Sequence, residues 1–199
     1  MSARYIGPKR KIDIKFGNIF FKKKTFKKKY KPVRPRKNYK KKPSVFIFQL
    51  FEKQKVKFIY GILEKQFLKM FHDVYKKKGI TGELLIQRCE SRLDNVVYRL
   101  KIALTRPFAR QLVAHKHITV NGKVINIPSY IIKPGDIISM KKKNKEFVKN
   151  LLSSKKDDLQ DWLIWDKEKQ NGIFQYIPKR SQIPEKIKEN LIVELLHSK

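Results

Sequence analysis

The sequence predicts an α+β protein: a mainly helical terminal domain carrying an inserted small module of two helices plus a short antiparallel β-sheet. Three observations predict it. Apolar residues recur at spacings of three and four on both sides of residue 90, which is helical periodicity. Asn121-Gly122 lies between the apolar runs 118–120 and 123–125, and that dipeptide is the strongest short hairpin signal, because a type I′ turn needs positive φ twice. Pro134-Gly135-Asp136 then turns the chain into a further apolar run, Ile137-Ile-Ser-Met140.

Each element has its own local reason. From Pro43 to Lys78 the pattern is helical: Phe46 and Leu50, then Val56, Ile59, Tyr60, Leu63, Phe67, Met70, Phe71 and Val74 recur as a core stripe, with a longer helix beginning at residues 54–61. Gly79 caps that helix at its C-terminus and Thr81 starts another, through Leu84, Leu85 and Cys89. In the first module helix Leu93, Val96, Val97 and Leu100 form one apolar stripe, while Arg88, Arg92, Asn95 and Arg99 stack on a different face. In the second, Thr105 is the N-cap and Pro107 occupies the first turn, where its missing N–H costs nothing. Ala109, Leu112 and Val113 face inward there. Residues 144–161 form an exposed helix or linker. Residues 161–166 alternate like a strand, Gln170-Asn-Gly172 turns, and 173–177 returns; Trp162 and Trp165 are packing residues. Pro184 opens a helix or turn before the final apolar run.

Charge narrows the partners. The chain has 199 residues with 49 Lys and Arg against 17 Asp and Glu, a formal net charge of +32. Residues 1–43 hold 18 basic residues and one acid, Asp13, with Phe16, Phe20, Phe21, Phe26, Tyr30 and Tyr39 interleaved. That basic N-terminal extension cannot bury enough apolar surface alone to offset its chain entropy, so in free solution it is read as a disordered tail, ordering on RNA with its aromatic rings stacking on bases or packing on a core. No run approaches the ~20 apolar residues of a membrane span, and no secretory or transit signal is read at the start. Cys89 is the one cysteine, so there is no disulfide framework and no cysteine zinc site. Neither a phosphate-cradling Gly-rich loop nor a Ser/His/Asp set is present, and His72 and His197 lack evident catalytic partners. The chain is read as no enzyme, with no cofactor and no metal. The rivals are an RNA-modifying or tRNA-charging enzyme using the module as a handle, and a DNA-compacting protein.

The candidate binding residues gather at one edge of the module: Arg92, Asn95 and Arg99 on the first helix, Arg106 and Arg110 opening the second, His115 and His117 in the link, Asn121 and Lys123 in the turn. Arg offers a planar fork suited to phosphate, and Asn and His add hydrogen bonds to sugars and bases. The helix N-terminus at Arg106 adds partial positive charge. Lys53, Lys55 and Lys57 form either a solvated face or an RNA face. This module resembles the small RNA-binding module shared by ribosomal, RNA-modifying and tRNA-charging proteins.

The resemblance becomes specific in longer strings. Glu52-Lys-Gln-Lys-Val-Lys with Tyr60-Gly61 and Glu64-Lys-Gln-Phe67, then Glu90-Ser-Arg-Leu-Asp-Asn-Val-Val-Tyr-Arg99, resemble the bacterial small-subunit ribosomal protein four family. So do Ala109-Arg-Gln-Leu-Val, His115-Lys-His-Ile, Val120-Asn-Gly, residues 127–136, Asn190-Leu-Ile-Val-Glu-Leu195 and the start, Ala3-Arg-Tyr-Ile-Gly-Pro-Lys. The departures are the Lys-rich stretch from about 17 to 42 and the segment around 144–161. Some relatives carry a cysteine zinc knuckle near the N-terminus; this chain has no cysteine there, and zinc is not expected.

What the resemblance implies is a ribosomal RNA-binding protein of the small subunit, nucleating assembly of the subunit body and, with ribosomal proteins five and twelve, contributing to translational accuracy. The chain is read in four parts: a basic extension at 1–43, a helical N-terminal domain at 44–90, the RNA-binding module at 91–143, and a C-terminal segment at 144–199, which the resemblance implies packs back on the N-terminal domain. The resemblance extends the RNA-contacting set to Arg4, Tyr5, Lys9, Arg10, Gln111 and Lys116. It implies a contact with ribosomal protein five through Gln49, Val193, Glu194 and Leu196. The expected location is the ribosome of a bacterial cytoplasm, with an organelle as alternative; abundant Lys, Ile, Phe, Asn and Tyr suggest an A/T-rich genome.

Overall fold

Gly61 divides the long stretch of helical periodicity. Helix α2, Val45–Tyr60, stops there because Gly61 takes the left-handed conformation, φ 65 and ψ 36, and donates its amide back to Lys57. Helix α3, Glu64–Tyr75, follows. It ends four residues before Gly79, the cap that the sequence suggests. Gly79 has φ 127, so it serves the turn into the next helix and not the cap itself. In this computed structural model the described residues are 9–16, 44–141, 159–166 and 171–197. Arg4, Tyr5, the Lys-rich stretch from 17 to 42 and most of the linker predicted at 144–161 lie outside them.

The chain divides into two units, residues 1–64 with 187–199, and residues 65–186. In the first, helix α1, Lys9–Lys15, is followed by Phe16, whose ring meets Phe51 at 5.0 Å and Phe58 at 5.5 Å. The C-terminal helix α7, Glu189–His197, packs on α2. Gln49 Nε2 donates to Glu194 Oε2 at 3.2 Å, and the Lys188 amide donates to Glu52 Oε2 at 3.2 Å. Val56, Ile59 and Tyr60 are buried as the sequence suggests, whereas Phe46 is exposed together with Val45, Ile47 and Phe48. The first turn of α2 therefore belongs to no core within the described residues.

The second unit is built on helices α4, Thr81–Glu90, α5, Leu93–Arg99, and α6, Arg106–Ala114. Five antiparallel strands accompany them: β1 Ile118–Val120, β2 Lys123–Val124, β3 Ile137–Met140, β4 Leu163–Asp166 and β5 Asn171–Phe174. Their order is β2-β1-β3-β5-β4. The predicted turn at 170–172 runs two residues too far, since Asn171 and Gly172 already pair within the sheet. Gly172 has a packing reason: a Cβ there would meet Leu100 Cδ2 at 2.7 Å. One core joins helices and sheet: Leu93, Val96, Val97 and Leu100 meet Leu112, Val113, Ile118, Ile138, Trp162 and Phe174. This is the apolar stripe that the three-four spacing marked.

The predicted Arg88–Arg99 face is not one helix face. Chain direction changes at Ser91, and Arg92 is the extended N-cap residue of α5, φ −72 and ψ 138. The first amides of α5 are satisfied from a distant loop: Leu93 N donates to Tyr130 O at 2.8 Å and Asp94 N to Pro128 O at 3.1 Å. Ile132 N donates to Ser91 O at 2.8 Å, so residues 128–132 hold this junction in place.

Candidate nucleic-acid interface

The arginines of the module form a buried ion-pair network. Arg92 is 1% exposed; its Nε donates to Asp94 Oδ1 at 3.0 Å and its Nη2 to Asp94 Oδ2 at 2.7 Å. Arg110 Nη1 reaches the same Asp94 Oδ2 at 3.1 Å. Beside this pair, Glu90 receives Arg99 through both oxygens, at 3.0 and 2.6 Å, and also Asn95 Nδ2 at 2.7 Å. Arg106 donates Nε to Asn95 Oδ1 at 2.9 Å, and its guanidinium carbon lies 4.4 Å from the centre of the Tyr98 ring. Glu185 closes the set, accepting from Arg99 at 2.5 Å and Arg106 at 2.6 Å.

This corrects the expectation of a solvent-facing arginine edge. Arg92, Asn95 and Arg106 are buried and Arg99 and Arg110 half-buried, because Glu90, Asp94 and Glu185 draw them inward. A guanidinium leaves water only where carboxylates and hydrogen bonds replace its hydration. Burial pushes the Glu185 carboxyl up, but the charges and hydrogen bonds of Arg99 and Arg106 outweigh it and hold the group below the usual carboxylate value. The sequence reading missed these three carboxylates. Glu90 and Asp94 sit inside the quoted motif and could have been noticed as charge partners. Glu185 left no such signal, since it lies 79 residues beyond Arg106.

Other candidates do face solvent. Thr105 caps α6 as expected, its hydroxyl accepting from Phe108 N at 3.3 Å. At the far end of α6, Gln111, His115 and Lys116 are exposed and His117 half-buried, the two imidazole centres 6.0 Å apart. Lys116 has φ 62, so the helix ends on a left-handed residue that is not glycine. The hairpin tip, Asn121 at φ 49 and Gly122 at φ 77, has the positive φ values that Asn-Gly predicts, and Lys123 beside it is exposed. The Asn121 side chain is occupied within the fold: Nδ2 donates to Asp136 Oδ1 at 2.8 Å and Oδ1 accepts from Ile137 N at 2.9 Å.

In the first unit, Lys9 and Arg10 are exposed on α1. Lys53 fits neither a solvated nor an RNA face: it is 5% exposed and its Nζ lies 2.8 Å from Glu64 Oε1. Lys57 meets the other oxygen of Glu64 at 2.5 Å, and Lys55 pairs with Glu52 at 3.5 Å. Burial raises the Glu64 carboxyl, yet the two lysines bring it below the ordinary value. Gln49 and Glu194 bond to each other, with Val193 and Leu196 half-buried on α7. Burial pushes the Cys89 thiol up to about 12, which keeps it neutral and unreactive. Among the described residues, no group of three or more His, Cys, Asp and Glu could hold a metal ion, and no helix is long and apolar enough to cross a membrane.

A helix pair packed on an antiparallel sheet, its arginines locked inside and its lysines and histidines at the rim, defines an α+β protein of the S4-domain class. Residues 91–138 match the S4 domain model, and residues 4–90 match the model of the ribosomal protein S4/S9 N-terminal domain. Small ribosomal subunit protein uS4 of Karelsulcia muelleri is 57% identical over 196 residues, covering 97% of this chain and 98% of that protein. The uS4 proteins of Amoebophilus asiaticus and Parabacteroides distasonis are 52% and 50% identical, each again over 97% of this chain and 98% of the relative. The chain belongs to the uS4 family of ribosomal proteins.

Proposed function

We propose that the chain is a structural constituent of the small ribosomal subunit that binds small-subunit ribosomal RNA directly and catalyses no reaction. The observation that carries this reading is the near end-to-end similarity to proteins named small ribosomal subunit protein uS4. A net charge of +32 supports a polyanionic partner. The contacting surface of the module predicted at 91–143 is its rim: Gln111, His115, Lys116, His117 and Lys123, with Arg110 at the margin. Lys9 and Arg10 add a second basic surface in the other unit. In the free chain Arg92, Asn95, Arg99 and Arg106 stand one step back, holding α5 and α6 under that rim.

In this reading the protein is a primary RNA binder that nucleates assembly of the subunit body, resident on a bacterial cytoplasmic ribosome. Two basic surfaces that grip different RNA helices fix the angle between them. Ribosomal protein five meets the surface around Gln49, Val193, Glu194 and Leu196, and through it and protein twelve the chain contributes to accuracy. Each phosphate neutralised releases counterions, so affinity falls steeply with salt. The test is footprinting of small-subunit ribosomal RNA with the purified chain, with duplex DNA as competitor at equal salt. Protection of one multi-helix junction that DNA does not compete away supports the reading. Equal affinity for duplex DNA overturns it in favour of DNA compaction.

A further inference from the structure

We propose that Arg99 and Arg106 form an oxyanion seat, that the Glu185 carboxylate fills it as an internal stand-in, and that an RNA phosphate displaces Glu185 on binding. The proposal rests on the RNA-binding reading above and names a gated contact within it.

The seat is built without Glu185. Arg99 is held by both oxygens of Glu90 on α4, and Arg106 by Asn95 on α5 and the Tyr98 ring. Their two Nη2 groups converge, and each meets a different oxygen of the single Glu185 carboxylate, at 2.5 and 2.6 Å. One anion bridging two guanidinium donors is also the geometry of a phosphate between two arginines. Glu90 neutralises one of the two charges. The other is balanced by Glu185, so with that carboxylate gone the seat holds a net positive charge in a half-dry site and calls for an anion.

The carrier of Glu185 is easier to move than the seat. Residues 183–188 form no helix or strand, and Pro184 and Lys186, on either side of Glu185, are exposed. Ile183 and Ile187 are buried at the two ends of this segment, and between them Arg180 holds the backbone: Nη2 donates to Glu185 O at 3.2 Å and Nη1 to Ile183 O at 3.3 Å. Glu185 also lies outside the S4 domain match, which ends at residue 138, so it is an addition to the helix pair from elsewhere in the chain.

The test uses the full chain with Glu185→Gln, which keeps shape and removes charge. Inorganic phosphate, compared with chloride at matched ionic strength, is expected to raise the Tm of E185Q by several degrees more than that of the unaltered protein. Adding Arg99→Gln should abolish the difference. With ribosomal RNA, E185Q is expected to bind several-fold more tightly at a fixed salt concentration, since no internal carboxylate has to be displaced, while its log K against log[salt] keeps the slope of the unaltered protein because the same phosphates are seated. Lower stability with no phosphate-specific gain and no tighter RNA binding would make Glu185 a strut and overturn the proposal. Should E185Q not fold, hydrogen exchange on the unaltered protein decides: RNA must loosen the amides of 182–188, and tighter protection there counts against displacement. Failure of RNA binding altogether would sink the functional reading while the phosphate arm still judges the seat.

Discussion

Arg92 and Asp94, two residues apart, face each other through two hydrogen bonds of 3.0 and 2.7 Å with both side chains nearly sealed from water. Neighbours at this spacing diverge within a helix. They meet here because Arg92 is the extended residue before α5 and Asp94 lies in its first turn. The pair therefore fastens the corner between α4 and α5.

Replacing Arg92 with Ala leaves Asp94 buried with Arg110 as its remaining described partner. Breaking a buried pair from one side typically costs about 3–5 kcal/mol, and the loss should appear in chemical denaturation. Arg110→Ala, at a half-buried position with a longer contact, should cost about 1 kcal/mol. The sequence alone does not distinguish the two, since both read as phosphate contacts. Equal and negligible destabilisation would refute the network as a structural element.

Gly172→Ala should destabilise by about 1–3 kcal/mol, since the new methyl would press on the fully buried Leu100. The pair Gly172→Ala with Leu100→Ala should be less unstable than the sum of the single changes. Strict additivity in a thermal denaturation cycle would mean that the two positions do not share space.

Acid should loosen the fold through Glu64 and Glu185. Both carboxyls lie below their ordinary value of 4.5 in the folded chain. A depressed folded pKa contributes stability that is complete above the unfolded value and is lost as pH falls through the folded one. Tm should hold above about pH 4.5 and decline below it. The decline should be shallower in E185Q, whose starting stability is lower. A parallel decline would remove Glu185 from the account.

Lys116→Gln and Lys123→Gln should each weaken ribosomal RNA binding and reduce its salt slope by about 1, with Tm within a degree or two of the parent. Both side chains are exposed at the rim. An unchanged slope in both variants would move the RNA contact away from α6 and the hairpin.

Features set by neighbours in the chain were legible from residue order alone. Asn121-Gly122 dictated its hairpin, Thr105 and Pro107 the start of α6, and Leu93, Val96, Val97 and Leu100 the buried stripe, because turn geometry, capping and helical period act over a few residues. The quoted motifs also carried the family. Only the tertiary structure decided which way the arginines face. Arg92, Asn95, Arg99 and Arg106 have the residue types of a phosphate-binding edge, and their spacing says nothing of carboxylates arriving from other segments. Glu90 comes from the preceding helix and Glu185 from far beyond the sheet. A charge settles where its partners and its hydration cost together are lowest, and that balance exists only once distant parts of the chain have met.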